Sequence, residues 1–298
     1  MSTILVVGAT GVLGSEICRR LTAAGRSVRG LVRETTDPAK VSKLQSLGVE
    51  TVQGDVRDRA SLDRACQGVT AVVSTVSSMP FSYQAGVNDI QTTDLDGITN
   101  LIEAAKANQV SHFTFISFTG NPGIDFPLQS AKRIVEQRLK DSGLTYTILR
   151  PSFFMEVWLS PAVGFDAANA KTVIYGSGQA VISWISVKDV AQFAAASLDH
   201  PAAKNVTIDL GGPVAISPLD VVRLFELTND CSFEKQMVPE DALQAQHQAA
   251  TEPMQQSFSA LMRCYALGDP VDMTGTHETF AVQPTTVQEY ARGALSAA

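Results

Sequence analysis

Residues Ile4–Gly14, ILVVGATGVLG, run four apolar residues straight into three glycines spaced three apart, Gly8, Gly11 and Gly14. An apolar run without polar alternation reads as a strand buried on both faces. Glycines at that spacing let the backbone take positive φ, bring bare amides against a diphosphate, and allow the next helix to lie close on the sheet. Working outward, Gly14–Ala24 places Ile17, Leu21 and Ala24 at helical spacing, Gly25 stands where a helix C-cap would, and Ser27–Val32 reads as a second strand. The chain therefore opens with a strand–helix–strand unit. Its first turn, through Gly8, Thr10, Gly11, Val12, Leu13 and Gly14, offers a dinucleotide site. An ordinary structural turn is the weaker alternative, because the flanking strand and helix are both present.

The alternation continues to about Pro151. Strands are expected at ILVVG, SVRGLV, VETVQG, AVVSTV, HFTFIS and TYTILRP, with helices at 14–24, 40–47, 61–67, 92–108 and 128–142 between them. This pattern predicts an α/β fold of Rossmann type, a doubly wound parallel sheet covered by helices. Beyond Ser152 the pattern loosens. The spacing there predicts a hairpin at 172–184 around Gly176 and Gly178, helices at 187–199, 217–227 and 240–266, and a strand at 205–210. The expected division is an NAD(P)-binding domain over 1–151, with helix 187–199 and nearby segments packing back on it, and a smaller C-terminal substrate lobe over 152–298.

With 298 residues, 45% hydrophobic and 18% charged, the chain is long enough for a large core. A net charge of −7 and the lack of basic runs argue against a nucleic-acid surface. No apolar stretch approaches the ~20 residues of a membrane span, and the first residues do not read as a secretory signal, so a cytoplasmic location is expected. Cys18, Cys66, Cys231 and Cys264 lack metal-ligand spacing and read as reduced packing residues. His112, His200, His247 and His277 stand singly, and no metal site is expected.

Arg33 follows the second strand, where a fold of this kind that selects NAD offers a carboxylate to the adenosine ribose. An arginine there pairs instead with a 2′-phosphate, which favours NADP(H) over NAD(H); a solvated loop residue is the alternative. The third and fourth strand tips give Asp55 and Val56, and Ser74, Thr75 and Val76, all facing the crevice where ligands bind in open α/β sheets. Asp55 reads about equally well as an acceptor for the adenine amino group and as an N-terminal cap for the next turn.

With GATGVLG, GDVRD, TVSS, DLDGITNLIEAA, a strand ending FIS, then TYTILRP, WISVKDVA and PTTVQEYA, the sequence resembles the atypical short-chain dehydrogenase/reductase superfamily and, within it, the NmrA-like group. That group holds quinone reductases, isoflavone-type and phenylcoumaran-type reductases and nucleotide-sensing regulators. The resemblance implies a catalytic serine at Ser117 and a lysine at Lys132, but the proton-shuttling tyrosine position is Leu128, which cannot donate a proton. Tyr83, Ser117, Thr119 and Tyr175 are candidate replacement donors. Lys132 holds the nicotinamide ribose or acts as a general acid under this reading; the alternative is an exposed i,i+4 pair with Glu136 worth about 0.3 kcal/mol.

The resemblance also implies that Pro151, Ser152 and Phe153 contact the nicotinamide carboxamide. Phe153, Phe154, Met155 and Trp158 either line a pocket for an aromatic or quinone-like substrate or are simply the seam between the lobes. The expected function is an NADPH-dependent oxidoreductase acting on a small hydrophobic or aromatic electrophile such as a quinone, enone or activated carbonyl. The alternative is a non-catalytic NADP(H) sensor acting through a protein partner. Nucleotide-sugar epimerase or dehydratase is a weaker third, because such relatives keep the tyrosine.

Overall fold

In the computed structural model, which describes residues 2–79 and 82–296, the first half of the chain alternates strand and helix as the apolar pattern requires. The elements are β1 (Thr3–Val7), α1 (Val12–Ala23), β2 (Ser27–Val32), α2 (Pro38–Ser46), β3 (Glu50–Gln53), α3 (Arg59–Cys66), β4 (Val69–Ser74), α4 (Ile98–Ala107), β5 (His112–Ile116), α5 (Pro127–Asp141) and β6 (Thr145–Pro151). Local chemistry sets the helix ends. The N–H of Gly25, at φ +74°, donates to Thr22 O, and that of Arg26 to Leu21 O, so α1 closes in a Schellman turn. Asp37 and Asp58 cap α2 and α3 through their carboxylates. The helix expected over 92–108 begins at Ile90 instead. Its first residues, Ile90–Gly97, are wound as π-helix behind an Asp89/Thr92 capping box.

Beyond β6 come α6 (Met155–Trp158), β7 (Phe165–Asp166), β8 (Lys171–Tyr175), α7 (Val187–Ser197), β9 (Val206–Leu210), α8 (Pro218–Asn229), β10 (Glu234–Val238), α9 (Glu240–Ala249), α10 (Pro253–Leu267), α11 (Thr276–Thr279) and α12 (Val287–Ser296). Seven strands form one sheet in the order β3-β2-β1-β4-β5-β6-β9. The five pairings from β3 to β6 are parallel. This is the doubly wound α/β architecture. The strand order reverses between β1 and β4, and the register sets Val7 level with Leu31 and with Ser74. The residues after β1, β2 and β4 therefore emerge together at the switch point, where such sheets bind ligands.

The chain divides into two compact units. The first holds residues up to Ser117 together with Pro127–Arg150 and Ala191–Ile208. Its core joins Leu5, Val72, Leu101, Phe113, Phe115 and Leu139, each at 0% exposure. Burial of side chains this size contributes about 1.5–3 kcal/mol apiece. The second unit holds Phe118–Phe126, Pro151–Val190 and Asp209–Ala298. It carries the small sheet β10-β8-β7 and a cluster of Val163, Leu243, Met262 and Ala266, against which Trp158 and Tyr175 pack.

The second unit departs from the expected pattern in two places. No hairpin forms at 172–184: β8 pairs in parallel with β10 and antiparallel with β7. Gly176 and Gly178 have positive φ, but they serve close approach, since a Cβ on Gly176 would lie 2.6 Å from Ala266 Cβ. The helix expected over 240–266 is two, because Pro253 lacks an N–H and starts α10 afresh. β10, with sequence EKQMV and mostly exposed, is an edge strand that carries no apolar alternation. No helix among the described residues is long and apolar enough to cross a membrane.

Candidate functional site

The turn Gly8–Gly11 is built by its glycines. Gly8 takes φ +89°, and a Cβ there would lie 2.5 Å from Thr75 Oγ1. A Cβ on Gly14 would lie 2.1 Å from Gly8 O, so only glycine lets α1 pass this close to the turn. The N–H of Gly11 donates to Gly8 O at 3.0 Å. Gly11 then caps α1 with no side chain, and Val12 behind it is 67% exposed. The first amides of α1 thus face outward from a helix N-terminus, with partial positive charge and no side chain across them. Thr10 and Leu13 flank them half-buried. This cradle fits a diphosphate.

Beside it, past β2 and β3, lies a cleft of 380 Å³ lined by Arg33, Gly54, Asp55, Arg57, Asp58 and Arg64, among others. Arg33 is exposed. Asp55 is held by Arg57, whose Nε and Nη2 reach its two oxygens at 2.8 and 2.6 Å. Those hydrogen bonds hold the Asp55 carboxyl below its usual range against the opposing effect of burial. Asp55 also caps the turn that follows it, its Oδ1 accepting the Arg57 amide at 2.9 Å, while Asp58 caps α3. Val56 is buried in the core, in contact range of Gly97. Ser74 is fully buried with its Oγ unpartnered among the described residues, while Thr75 and Val76 are half-buried at the strand tip.

Lys132 is 5% exposed on α5, over the Phe115 ring and 3.6 Å from Asp94 Oδ1. Burial pushes its ammonium below the usual lysine range, and Asp94 draws it part of the way back. The exposed Lys132–Glu136 pair is corrected on both counts. Glu136 is buried and accepts from Ser117 Oγ at 2.6 Å, from Arg133 at 2.5 Å and from Arg150 Nε at 3.0 Å. Ser117, itself buried, donates its hydroxyl hydrogen bond to that carboxylate, so Ser117 and Lys132 have different partners. Leu128 is buried in the first turn of α5. Tyr83 is half-buried in the segment between β4 and the π-helical winding.

In the second unit, Ser152 and Thr119 both donate to Asp269 Oδ2, at 2.7 and 2.6 Å. Burial raises the Asp269 carboxyl above its usual range, and those two hydroxyls oppose the rise. Pro151 O accepts the Thr119 amide. Phe153 is 7% exposed within a ring cluster, 4.6 Å from Trp158 and 6.1 Å from Tyr265 by centroid. Phe153 and the fully buried Met155 are thus enclosed, Phe153 among rings, while Phe154 and Trp158 stay half-buried. Tyr175 Oη donates to Val163 O at 3.1 Å, and burial raises its phenol. Reading the sequence missed Asp94, Arg57 and Asp269. Asp94 opens the DLDGITNLIEAA motif, which pointed to the family and to a helix without singling out its first residue, and Asp269 follows Gly268 in a loop without any motif.

Comparison with known proteins agrees with this construction. Residues 1–291 match the NmrA-like family. The chain is 29% identical over 238 residues to a photosystem II assembly factor of Trieres chinensis, covering 80% of this chain and 72% of that one. It is 31% identical over 279 residues to an NAD(P)H azoreductase of Xenophilus azovorans, covering 93% and 91%. Its fold superposes on the leucoanthocyanidin reductase–NADPH complex of Vitis vinifera with a TM-score of 0.82, at 19% identity over 99% of this chain and 100% of that one. A glycine cradle at the switch point, on a sheet of this order, matched along nearly its whole length, places the chain in the NmrA-like family.

Proposed function

We propose that this protein is an NADPH-dependent oxidoreductase acting on a hydrophobic electrophile, a quinone, enone or activated carbonyl. The observation that carries the reading is the bare cradle at the α1 N-terminus next to a cleft lined by Arg33. Gly8, Thr10, Gly11, Val12, Leu13 and Gly14 would hold the diphosphate, and the tips Asp55–Val56 and Ser74–Val76 would flank the adenosine and nicotinamide sides. Arg33, exposed at its strand tip, would pair with the 2′-phosphate, which supports NADP(H) over NAD(H). When bound, a reduced nicotinamide supplies the hydride. Lys132 would donate to the ribose hydroxyls from its buried place on α5. The resemblance alone supports Pro151, Ser152 and Phe153 as carboxamide contacts.

Leu128 is apolar, so the protein moves no proton there. A quinone-like acceptor fits that gap, since water can protonate the reduced product. Ser117 is engaged with Glu136, which supports a structural role for it rather than proton transfer. The NAD(P)H azoreductase relative supports reductive turnover. Binding without turnover is the second reading, favoured by Leu128 and by the assembly-factor relative. Titration with NADPH and NADH by fluorescence, followed by a panel of quinones and enones while nicotinamide absorbance is recorded, tests both. Acceptor-dependent oxidation with tighter NADPH than NADH binding is expected. Tight binding with no oxidation by any acceptor would leave only the binder.

A further inference from the structure

Asp94 is completely buried, at 0% exposure, within the π-helical winding Ile90–Gly97. A charge in such a place is costly unless it is paired, and π-windings concentrate at functional sites. Its two oxygens are used differently. Oδ2 accepts the Ser78 amide at 3.0 Å and the Ser78 hydroxyl at 2.6 Å. Oδ1 has no hydrogen-bond partner among the described residues and faces Lys132 Nζ at 3.6 Å, beyond hydrogen-bond length. Charge is the larger part of the attraction, and at most one of the three N–H donors of Lys132 is directed at this oxygen.

The other groups facing Lys132 are few. Its own helix brings Glu136, attractive, and Arg133, repulsive; β5 brings only the uncharged ring of Phe115. Glu136 is already engaged by Ser117, Arg133 and Arg150. Asp94 is thus the anion that answers the lysine. Through Ser78 the same carboxylate also fixes the segment that follows the Ser74–Val76 tip.

We propose that Asp94 is the positioning residue for Lys132, holding it as an ammonium with its donors directed at the cofactor ribose while tying the segment after β4 to α5. The proposal rests on the reading of Lys132 as a cofactor contact. Desolvation alone would let Lys132 lose its proton at lower pH, and the Asp94 charge opposes this.

The test measures NADPH affinity by fluorescence across neutral and alkaline pH, together with Tm, for the wild type, Asp94→Asn, Lys132→Met and the double variant Asp94→Leu/Lys132→Met. Asp94→Asn and Lys132→Met are each expected to bind NADPH about tenfold more weakly, the loss of one charge-assisted contact. In Asp94→Asn the alkaline fall in affinity is expected about one pH unit lower than in the wild type. The double variant removes both buried charges, so its Tm recovers toward the wild type while its NADPH affinity stays as weak as that of Lys132→Met. If the double variant recovers affinity along with Tm, the pair is purely structural and the proposal falls. If Lys132→Met is weakened while Asp94→Asn matches the wild type at every pH, only the Asp94 assignment falls. If Lys132→Met binds NADPH like the wild type, the cofactor reading of Lys132 fails and takes the Asp94 role with it. Should Asp94→Asn not fold, the double variant alone decides.

Discussion

Arg33 stands exposed on the rim of a cleft in which Arg57 is engaged by Asp55 and Arg64 is a second exposed cation. Its place at the tip of β2 makes Arg33 the guanidinium to test for a preference for a phosphorylated ribose. Arg33→Ala is expected to weaken NADPH by about tenfold or more, the worth of a charged hydrogen bond, and to leave NADH nearly unchanged; equal losses for the two cofactors would remove the NADP(H) preference. Gly14 illustrates a different constraint. A methyl group there meets the Gly8 carbonyl oxygen at 2.1 Å, and neither backbone can yield without moving the cradle. Gly14→Ala should cost about 3 kcal/mol in urea unfolding and abolish measurable cofactor binding. Both residues were legible in the sequence, because glycine spacing and the residue at a strand tip are local features. Asp55 was legible only as a position: which cation it meets depends on a fold in the chain two residues on.

At the scale of elements, α5 shows how a helix face is allotted. Lys132 and Glu136 are one turn apart, which in isolation makes a modest surface pair. Packed on β5 and beside β6, the helix instead turns Lys132 toward Asp94 and Glu136 toward Ser117 and Arg150. For Glu136, burial pushes the carboxyl up, but the hydrogen bonds from Arg150 and Ser117 and the charge of Arg133 outweigh it, so its folded value lies below the ordinary one. A lowered carboxyl contributes stability that is present above the ordinary carboxylate range and lost as pH falls through the folded value. Glu136→Gln is expected to lose about 2 kcal/mol at neutral pH, less than a fully buried pair because both arginines are partly exposed. The deficit should shrink on acidification; urea denaturation at several pH values checks it, and a pH-independent deficit would contradict the assignment of the loss to charge.

For the whole molecule, a cofactor that binds the folded chain and not the unfolded one must raise its stability by mass action. NADPH at a hundred times its Kd should add about 2.7 kcal/mol, or about 4 °C in Tm for a chain of this size; NADH at the same concentration should add less. An equal shift would argue against selection at Arg33. The sequence by itself determined the doubly wound sheet, the glycine cradle and the family, because continuous apolar runs, glycine spacing and strand-tip residues act within one strand–turn–helix unit. It also marked Lys132. Tertiary structure alone decided that β8 joins β10 instead of folding into a hairpin, that Phe153 packs against the rings of Trp184 and Tyr265, and that Lys132 meets Asp94. These pairings join residues far apart along the chain. Such partners are chosen by which buried charge or apolar face needs covering, and no local periodicity records that choice.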